Sequence, residues 1–194
     1  MNDEERQRAL LAFWFGAPGS PEHDTPRGVW FERNDDFDAA LRERFLADHQ
    51  RACNGDCDDW AETADGALAL VLLLDQLSRN LHRGRPEGFA YDAKARGVAN
   101  AALARGFERA VAPVRCIFFY LPLMHSEALA DQERCIALLA LLPTGAQRDG
   151  SLASAQRHRD IIARFGRFPH RNLVLGRAST AEEMAFLAEP NSSF

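Results

Sequence analysis

The sequence lacks the features that would assign it directly to a membrane or zinc-binding class. Its longest apolar run, residues 67–74, is far shorter than the ~20 residues that a membrane-spanning helix needs. The four cysteines, Cys53, Cys57, Cys116 and Cys135, form no C-x-x-C pair, so no zinc-site spacing is present. We therefore predict no membrane association and no bound transition metal. We expect the cysteines to be small core residues in a reducing compartment.

Common cofactor and catalytic signatures are also absent. The sequence contains no G-x-G-x-x-G, no G-x-x-x-x-G-K-[ST], no H-E-x-x-H and no G-x-S-x-G, so no cofactor is predicted. The N-terminus, M-N-D-E-E-R-Q-R, is too charged to be a signal peptide. Together these observations predict a cytoplasmic protein.

Lysine is almost missing, since Lys94 is the only one. The basic residues are therefore nearly all arginine, and an isolated arginine carries little information about function. The formal net charge of −5 and the pI of about 5.7 argue against a general nucleic-acid or membrane-surface binder. Only the clustering of arginines along the chain is informative.

The hydrophobic pattern predicts an all-α protein. The segment A-L-A-L-V-L-L-L-D-Q-L is apolar on every side, as expected of a helix buried on all sides at the centre of a domain. A buried strand is the competing interpretation, but Val71 is its only β-branched residue. A chain of 194 residues is long enough for one core, so we predict a single domain over residues 1–194.

Further helices are predicted around this central one. Pro113 suits the start of a helix, and Pro122 should kink or end it. Thr180 and Glu183 have the spacing of a capping box. The spacing of apolar residues predicts helices over residues 3–15, from 34 or 35 onward, 91–105, from 113 onward, 129–142, 151–165 and after 180, followed by a tail over 190–194.

Two segments place charge on or beside apolar helix faces. Asp75 shares a face with leucines and with Arg79 four residues later, which predicts either a buried ion pair or a charged pair lining a pocket. His125, Glu127 and Asp131 follow the proline break. A histidine beside two carboxylates can perform acid–base catalysis or bind a divalent metal, whereas acids are also common at solvated helix starts.

The third segment, residues 157–177, holds six arginines and two histidines but only one acidic residue. His158 lies on an apolar stripe, as either a hydrogen-bonded core residue or a functional one. Gly166 and Pro169 should break the helix, so that several arginines converge at an irregular turn. Guanidinium groups in that arrangement suit a carboxylate or phosphate ligand. The alternative is that they pair with the carboxylates of the two earlier segments and with helix carbonyls.

These segments carry a resemblance to a known family. The motifs are L-L-L-D-Q-L-S-R-N-L-H-R-G, Y-L-P-L-M-H-S-E, A-D-Q-E, H-R-D-I-I-A-R-F-G-R-F-P-H-R-N-L-V-L-G-R and S-T-A-E-E, with F-W-F-G near the start and S-S-F at the end. The chain closely resembles the bacterial domain of unknown function 924 family. That resemblance implies a tetratricopeptide-like array of antiparallel helices and no established activity. The chain shows no self-similarity near the ~34-residue tetratricopeptide period.

The leading functional hypothesis is a pocket for a small anionic ligand, formed where the three segments converge. The predicted site comprises Asp75, Arg79, His125, Glu127, Asp131, His158, Arg164, Arg167, His170, Arg171 and Asn172. One alternative is a hydrolase-type enzyme that uses His125 or His158 with Asp75, Glu127 or Asp131. Another is an adaptor that binds a protein partner through a helical groove.

Overall fold

The computed structural model describes residues 1–190 and 192–193. Residues 191 and 194, and with them part of the predicted tail and the last residue of S-S-F, lie outside the described residues. The described chain is all-α, as predicted, and contains no strand. Its α-helices are α1 (Asp3–Phe15), α2 (Asp35–Asn54), α3 (Ala64–Val71), α4 (Ser78–Leu81), α5 (Asp92–Ala104), α6 (Pro113–Met124), α7 (Leu129–Ala140), α8 (Ala146–Phe165) and α9 (Ala181–Leu187).

The predicted central helix is confirmed. Helix α3, a π-helical turn over Leu72–Leu77 and α4 follow one another without a break and form one element, here called the central rod. Every side chain from Gly66 to Ser78 is buried. Helices α1, α5 and α6 pack on α3, while α2, α5 and α6 pack on the π-helical turn. The wider hydrogen-bond spacing of a π-helix is not visible in the hydrophobic pattern, and such turns are frequent at functional sites.

Local signals at the helix ends account for several of the boundaries. The Asn34 side chain accepts a hydrogen bond from the Phe37 N–H at 2.9 Å and so caps α2. Thr180 and Glu183 form the predicted capping box of α9. Gly166, with φ of 69°, adopts the left-handed conformation that ends α8. Helix α8 starts at residue 146, earlier than the predicted 151.

Helix α6 begins at Pro113, as predicted, and ends at Met124, two residues after Pro122. Short links join α6 to α7 and α7 to α8, and each consecutive pair is packed together. Short links make neighbouring helices antiparallel, so α6 and α8 run in the same direction. Accordingly, His125, just after α6, and His158, in the C-terminal half of α8, have ring centroids only 6.4 Å apart.

The described residues pack into one large core and one small cluster. The large core surrounds the central rod and includes an aromatic group in which Trp14, Phe15 and Trp30 meet Phe118 edge to face. The small cluster consists of Ile161, Ile162 and Phe168, with Phe165 and Phe186 packed against it. The end of α8 and the segment after it are therefore held partly by their own packing.

Candidate functional site

The described residues enclose a cavity of about 650 Å³ between the central rod, α6 and α8, here called the main cavity. The basic side chains on its wall are Arg79, Arg83, Arg157, Arg171, His82, His125, His158 and His170. No aspartate or glutamate occurs among the described residues that line it. All ionisable side chains on its described wall are therefore basic.

One face of the central rod forms the polar wall of the main cavity. Gln76, Arg79 and Asn80 line it, and their spacing of three and four residues places them on one side of a helix. Arg83 lines the cavity from the turn that follows the end of α4 at Leu81. The Asn80 amide donates to Asp38 at 2.7 Å, and Arg83 donates to the same carboxylate at 2.5 and 3.0 Å. The Arg83 guanidinium is thus already paired with a carboxylate of α2.

Beneath this wall, Asp75 and His125 form a hydrogen-bonded pair. Asp75 is fully buried in the π-helical turn. Burial alone would raise its pKa, but Arg79 and His125 hold the pKa of Asp75 well below its usual range. The group is therefore a carboxylate that only accepts hydrogen bonds. His125 Nδ1 donates to Asp75 Oδ1 at 2.7 Å, and the Gln76 amide donates to Oδ2 at 2.6 Å.

The second ring nitrogen of His125 is the chemically available one. Burial, followed by the charge of Arg79, lowers the pKa of His125, although Asp75 acts in the opposite direction. The ring is therefore neutral near pH 7, with its proton on Nδ1 and a lone pair on Nε2. Within the described chain, Nε2 has no hydrogen-bond partner, and the residue lines the main cavity. A carboxylate-oriented imidazole of this kind can accept a proton from a ligand.

Arg79 connects Asp75 to a second carboxylate, Asp92 at the start of α5. It donates to Asp75 Oδ1 at 3.0 Å and to both oxygens of Asp92 at 3.0 Å each. Arg171, from the segment after α8, also reaches Asp92, at 3.4 Å. Two arginines and two carboxylates thus form a balanced group, here called the buried network.

Arg171 ties the arginine-rich turn to the other two segments. It is only 6% exposed and donates to the backbone carbonyl of His125 at 3.1 Å. Its guanidinium lies over the rings of Phe89 and Phe168, at 4.9 and 4.4 Å from their centroids. Burial, and then repulsion from Arg79, lower the pKa of Arg171 to about 10. Its Nε is buried without a hydrogen-bond partner among the described residues.

Two further histidines lie close to this end of the cavity. His158 Nδ1 donates to the Ser154 carbonyl at 2.8 Å. The rings of His158 and His170 flank Phe168, with centroid distances of 5.5 and 5.6 Å. Burial is the main cause that lowers the pKa of His158 to about 3 and of His170 to about 4. Both rings are therefore neutral near pH 7.

Glu127 lies just outside the main cavity. It accepts two hydrogen bonds from Arg177, at 2.7 and 3.0 Å, and one from the Phe168 N–H at 2.8 Å. Burial alone would raise its pKa, but Arg177 and the Phe168 N–H lower it. Glu127 lines a second hollow of about 460 Å³, which shares Phe89, His125 and Arg171 with the main cavity. Its contacts hold the turn after α8 against the end of α6.

Two arginines of the predicted site lie away from the described cavity walls. Arg167 pairs with Glu183 through two hydrogen bonds of 2.6 and 2.7 Å. Arg164 is half exposed and pairs with Glu182 at 2.9 Å. Both connect the end of α8 to α9. The three predicted segments therefore converge through Asp75, His125 and Arg171, and not through Arg167.

Asp131 and Asn172 also make contacts elsewhere. Asp131 accepts a hydrogen bond from Ser126 at 2.6 Å and lies 3.3 Å from Arg96. Asn172 is fully buried and donates to Ser179 at 3.1 Å. These contacts hold the link between α6 and α7 and the segment between α8 and α9 in place.

Sequence reasoning did not single out Asp92 or Arg157. An acidic residue at the start of a helix is favoured by the helix dipole, so nothing in the sequence distinguishes Asp92. Arg157 carried a usable signal, because Ser151, Ser154 and His158 repeat at helical spacing and place a polar face on α8. Arg157 lines the main cavity and makes no ion pair or side-chain hydrogen bond within the described chain.

The cysteines are free, as expected, and three of them are buried. Burial raises the pKa of Cys57 and of Cys116 to about 11 and that of Cys135 to about 12. These three thiols are therefore protonated near pH 7 and are poor nucleophiles. No group of three histidine, cysteine or acidic side chains in the described part of the chain could hold a metal ion. None of the described helices is long and apolar enough to cross a membrane.

Comparison with known proteins assigns the family. Residues 10–191 match the model of a family described as bacterial protein of unknown function (DUF924), and the chain belongs to this family. The chain is also similar to a solved structure of a protein of unknown function from Agrobacterium tumefaciens. The two share 38% identity over 96% of this chain and 99% of the other, with a TM-score of 0.84. No curated protein matches the chain significantly. The family resemblance read from the sequence is confirmed.

Proposed function

We propose that this chain is a cytoplasmic protein that binds a small anionic molecule in the main cavity. One observation carries the proposal: four arginines and four histidines line the described wall of the cavity, and no carboxylate does. His125, His158 and His170 are neutral near pH 7, so the positive charge of this wall comes from the arginines, whose guanidinium groups favour a ligand of negative charge. In this proposal Arg79, His125, His158, His170 and Arg171 contact the ligand together with Arg157.

The pairing of the arginines indicates how the ligand would be held. Arg79 and Arg171 are oriented by Asp75 and Asp92, whose carboxylates are absent from the described cavity wall. Fixed donors lose little conformational entropy when a ligand binds. Arg157 has no carboxylate partner within the described chain, so its charge is available to an anion. The remaining predicted residues, Glu127, Asp131, Arg164, Arg167 and Asn172, would support the cavity from outside.

The test is a titration with simple anions at constant ionic strength. Phosphate and sulfate should raise the melting temperature of the protein above a sodium chloride control. At 100 times the dissociation constant, one site stabilises the folded state by about 2.7 kcal/mol. The Arg157→Gln variant should lose most of this stabilisation.

Arg159→Gln is the matched control for that variant. Arg159 lies on the same helix and pairs with Asp160, and it is not among the residues that line the cavity. It should respond to anions like the wild type. Equal responses of the wild type to phosphate and to chloride would contradict the proposal, and so would equal losses in the two arginine variants.

A second candidate function is hydrolase-type catalysis, and the Asp75–His125 pair favours it. Asp75 fixes the His125 ring through Nδ1, so Nε2 could act as a general base toward a bound ligand or water. His158 is similarly fixed through Nδ1 by the Ser154 carbonyl. A panel of ester, phosphoester and amide substrates tests this candidate. Activity that survives in His125→Gln would assign it to another group or a contaminant.

The adaptor hypothesis has less support. The large exposed apolar side chains of the described residues are scattered over several parts of the chain. They are Met1, Phe31, Leu129, Leu141, Leu173, Leu175 and Met184. A docking groove for a protein partner would require a continuous apolar patch.

A further inference from the structure

We infer that the ligand of the main cavity is an amphipathic acid, with a carboxylate or phosphate at one end and an aromatic or aliphatic body of about 10 Å. This inference rests on the proposed function and names the ligand class of that site. It is carried by the different chemistry of the cavity walls and by the separation of the two ends.

The first observation is that α6 contributes an apolar row to the cavity wall. Ile117, Leu121 and Met124 of α6 line the cavity, and their spacing of four and three residues places them in one row along the helix. Phe89 adds an aromatic side chain. A ligand that lies between α6 and the central rod would therefore meet hydrocarbon on one side.

The second observation is that five of the eight basic side chains on the cavity wall collect at one end of this row. His125 directly follows Met124, and its ring is 6.4 Å from that of His158. The rings of His158 and His170 both contact the ring of Phe168. Arg171 binds the carbonyl of His125, and Arg157 is the sequence neighbour of His158. This end of the cavity would hold the acid group.

The third observation is the aromatic group at the other end. Trp30 and Phe31 line the cavity, and the Phe31 ring is stacked on Phe118 of α6, with an interplanar angle of 9°. Phe118 follows Ile117, at the start of the apolar row. Ile117 and His125 are eight residues apart, which corresponds to about 12 Å along a helix. The aromatic and basic ends are therefore separated by the length of a small amphipathic molecule.

Exposure and size support the same ligand. Phe31 is 64% exposed although it lies on the cavity wall, so a hydrophobic ligand would remove apolar surface from water there. The volume of about 650 Å³ lies in the range typical of sites for organic ligands. Phosphate or sulfate alone would occupy only a small part of it and would leave the apolar row uncovered.

The experiment measures the binding of three ligands to the wild type and to two variants. It thereby separates the contribution of the basic end of the cavity from that of the aromatic end. Phenylbutyrate carries both an acid and an aromatic body, butyrate carries the acid without the ring, and phenylbutyramide carries the ring without the charge. Isothermal titration measures their dissociation constants for the wild type, Phe31→Ala and Arg157→Gln. Both substituted side chains are exposed, so both variants should fold, and melting temperatures check this.

We expect phenylbutyrate to bind the wild type at least about tenfold more tightly than either partial ligand, a difference of about 1.4 kcal/mol. Phe31→Ala should weaken phenylbutyrate and phenylbutyramide several-fold and leave butyrate unchanged. Arg157→Gln should weaken both acids and leave the amide unchanged. Leu173→Ala and Arg159→Gln are the matched controls, because both residues lie off the described cavity wall.

Each contrary result has a distinct meaning. Equal affinities for phenylbutyrate and butyrate would overturn the amphipathic inference and leave the anion-binding proposal intact. Equal affinities for phenylbutyrate and its amide would overturn the anion-binding proposal. The absence of binding by all three ligands, with no stabilisation by phosphate, would overturn both.

Discussion

Two groups of arginines in this protein differ in where their carboxylate partners lie. In the buried network, Arg79 and Arg171 meet Asp75 and Asp92 inside the fold. After α8, three other arginines, whose own side chains are 24% to 47% exposed, pair with glutamates. Those pairs are Arg164 with Glu182, Arg167 with Glu183 and Arg177 with Glu127.

The two groups of arginines are therefore distinguished by the burial of their side chains. The pairs after α8 connect α9 and the turn to the rest of the chain, and water screens those that are exposed. The buried network lies where screening is weak, so each of its charges depends on the others. It also holds Arg79, His125 and Arg171 in place at the cavity. We therefore expect substitutions in the buried network to have the largest effects.

The largest effect is expected for Asp75→Asn. The substitution keeps the shape of the side chain but leaves Arg79 and Arg171 with a single carboxylate in a buried site. Breaking a buried ion pair from one side typically costs roughly 3–5 kcal/mol. Urea unfolding should show a loss of that order. Asp160→Asn, at an exposed ion pair on α8, is the control and should change little. Similar small losses in both variants would show that the buried network is not strongly coupled.

A smaller effect should appear on acidification. The pKa values of His158 and His170 are lowered to about 3 and 4 from an ordinary value near 6.5. Between pH 6.5 and 5 the unfolded chain therefore binds protons that the folded chain does not, so stability falls as the pH falls. Most carboxylates titrate below this window, and their contribution is small. We expect a loss of about 1–2 kcal/mol per histidine over this range.

Urea unfolding at pH 6.5 and pH 5 measures this loss. His158→Gln and His170→Gln should each flatten the pH dependence relative to the wild type. A wild-type slope that both variants retain would assign the effect to other groups.

Glu127→Gln should have an intermediate effect, because Glu127 connects the two regions. Its carboxylate binds Arg177 and the Phe168 N–H, and its side chain is 29% exposed. A neutral amide would weaken the pairing with Arg177, at a cost of roughly 1–2 kcal/mol. Hydrogen exchange should speed up in residues 167–190 before it does in the central rod. A uniform increase across both regions would show that they unfold as one unit.

Much of the fold could be predicted from the sequence because its signals are local. The apolar run around Val71 predicted the central helix, and Thr180 with Glu183 predicted the start of α9. The π-helical turn could not be predicted, because leucine-rich sequence fits an α-helix equally well.

The candidate site was predictable only where charge lay on an apolar face. Asp75 and Arg79 stood out in this way, and in the structure the Arg79 guanidinium donates a hydrogen bond to Asp75 Oδ1 at 3.0 Å. Arg167 stood out through clustering alone, yet it contacts Glu183 away from the described cavity wall. The choice among neighbouring arginines depends on which way the turn after Gly166 directs them. Sequence spacing contains no such information once the regular helix has ended.

The smallest effect is expected for Arg164→Gln, which removes the most exposed of the three arginine–glutamate pairs after α8. Arg164 and Glu182 have side chains that are 47% and 63% exposed, so water screens their attraction. The guanidinium also lies over Phe165 at 4.6 Å, a contact that contributes little at an exposed site. We expect a loss below about 1 kcal/mol and unchanged stabilisation by anions. A loss as large as that of Asp75→Asn would mean that the small cluster around Phe168 depends on this pair. Burial would then no longer distinguish the two groups of arginines.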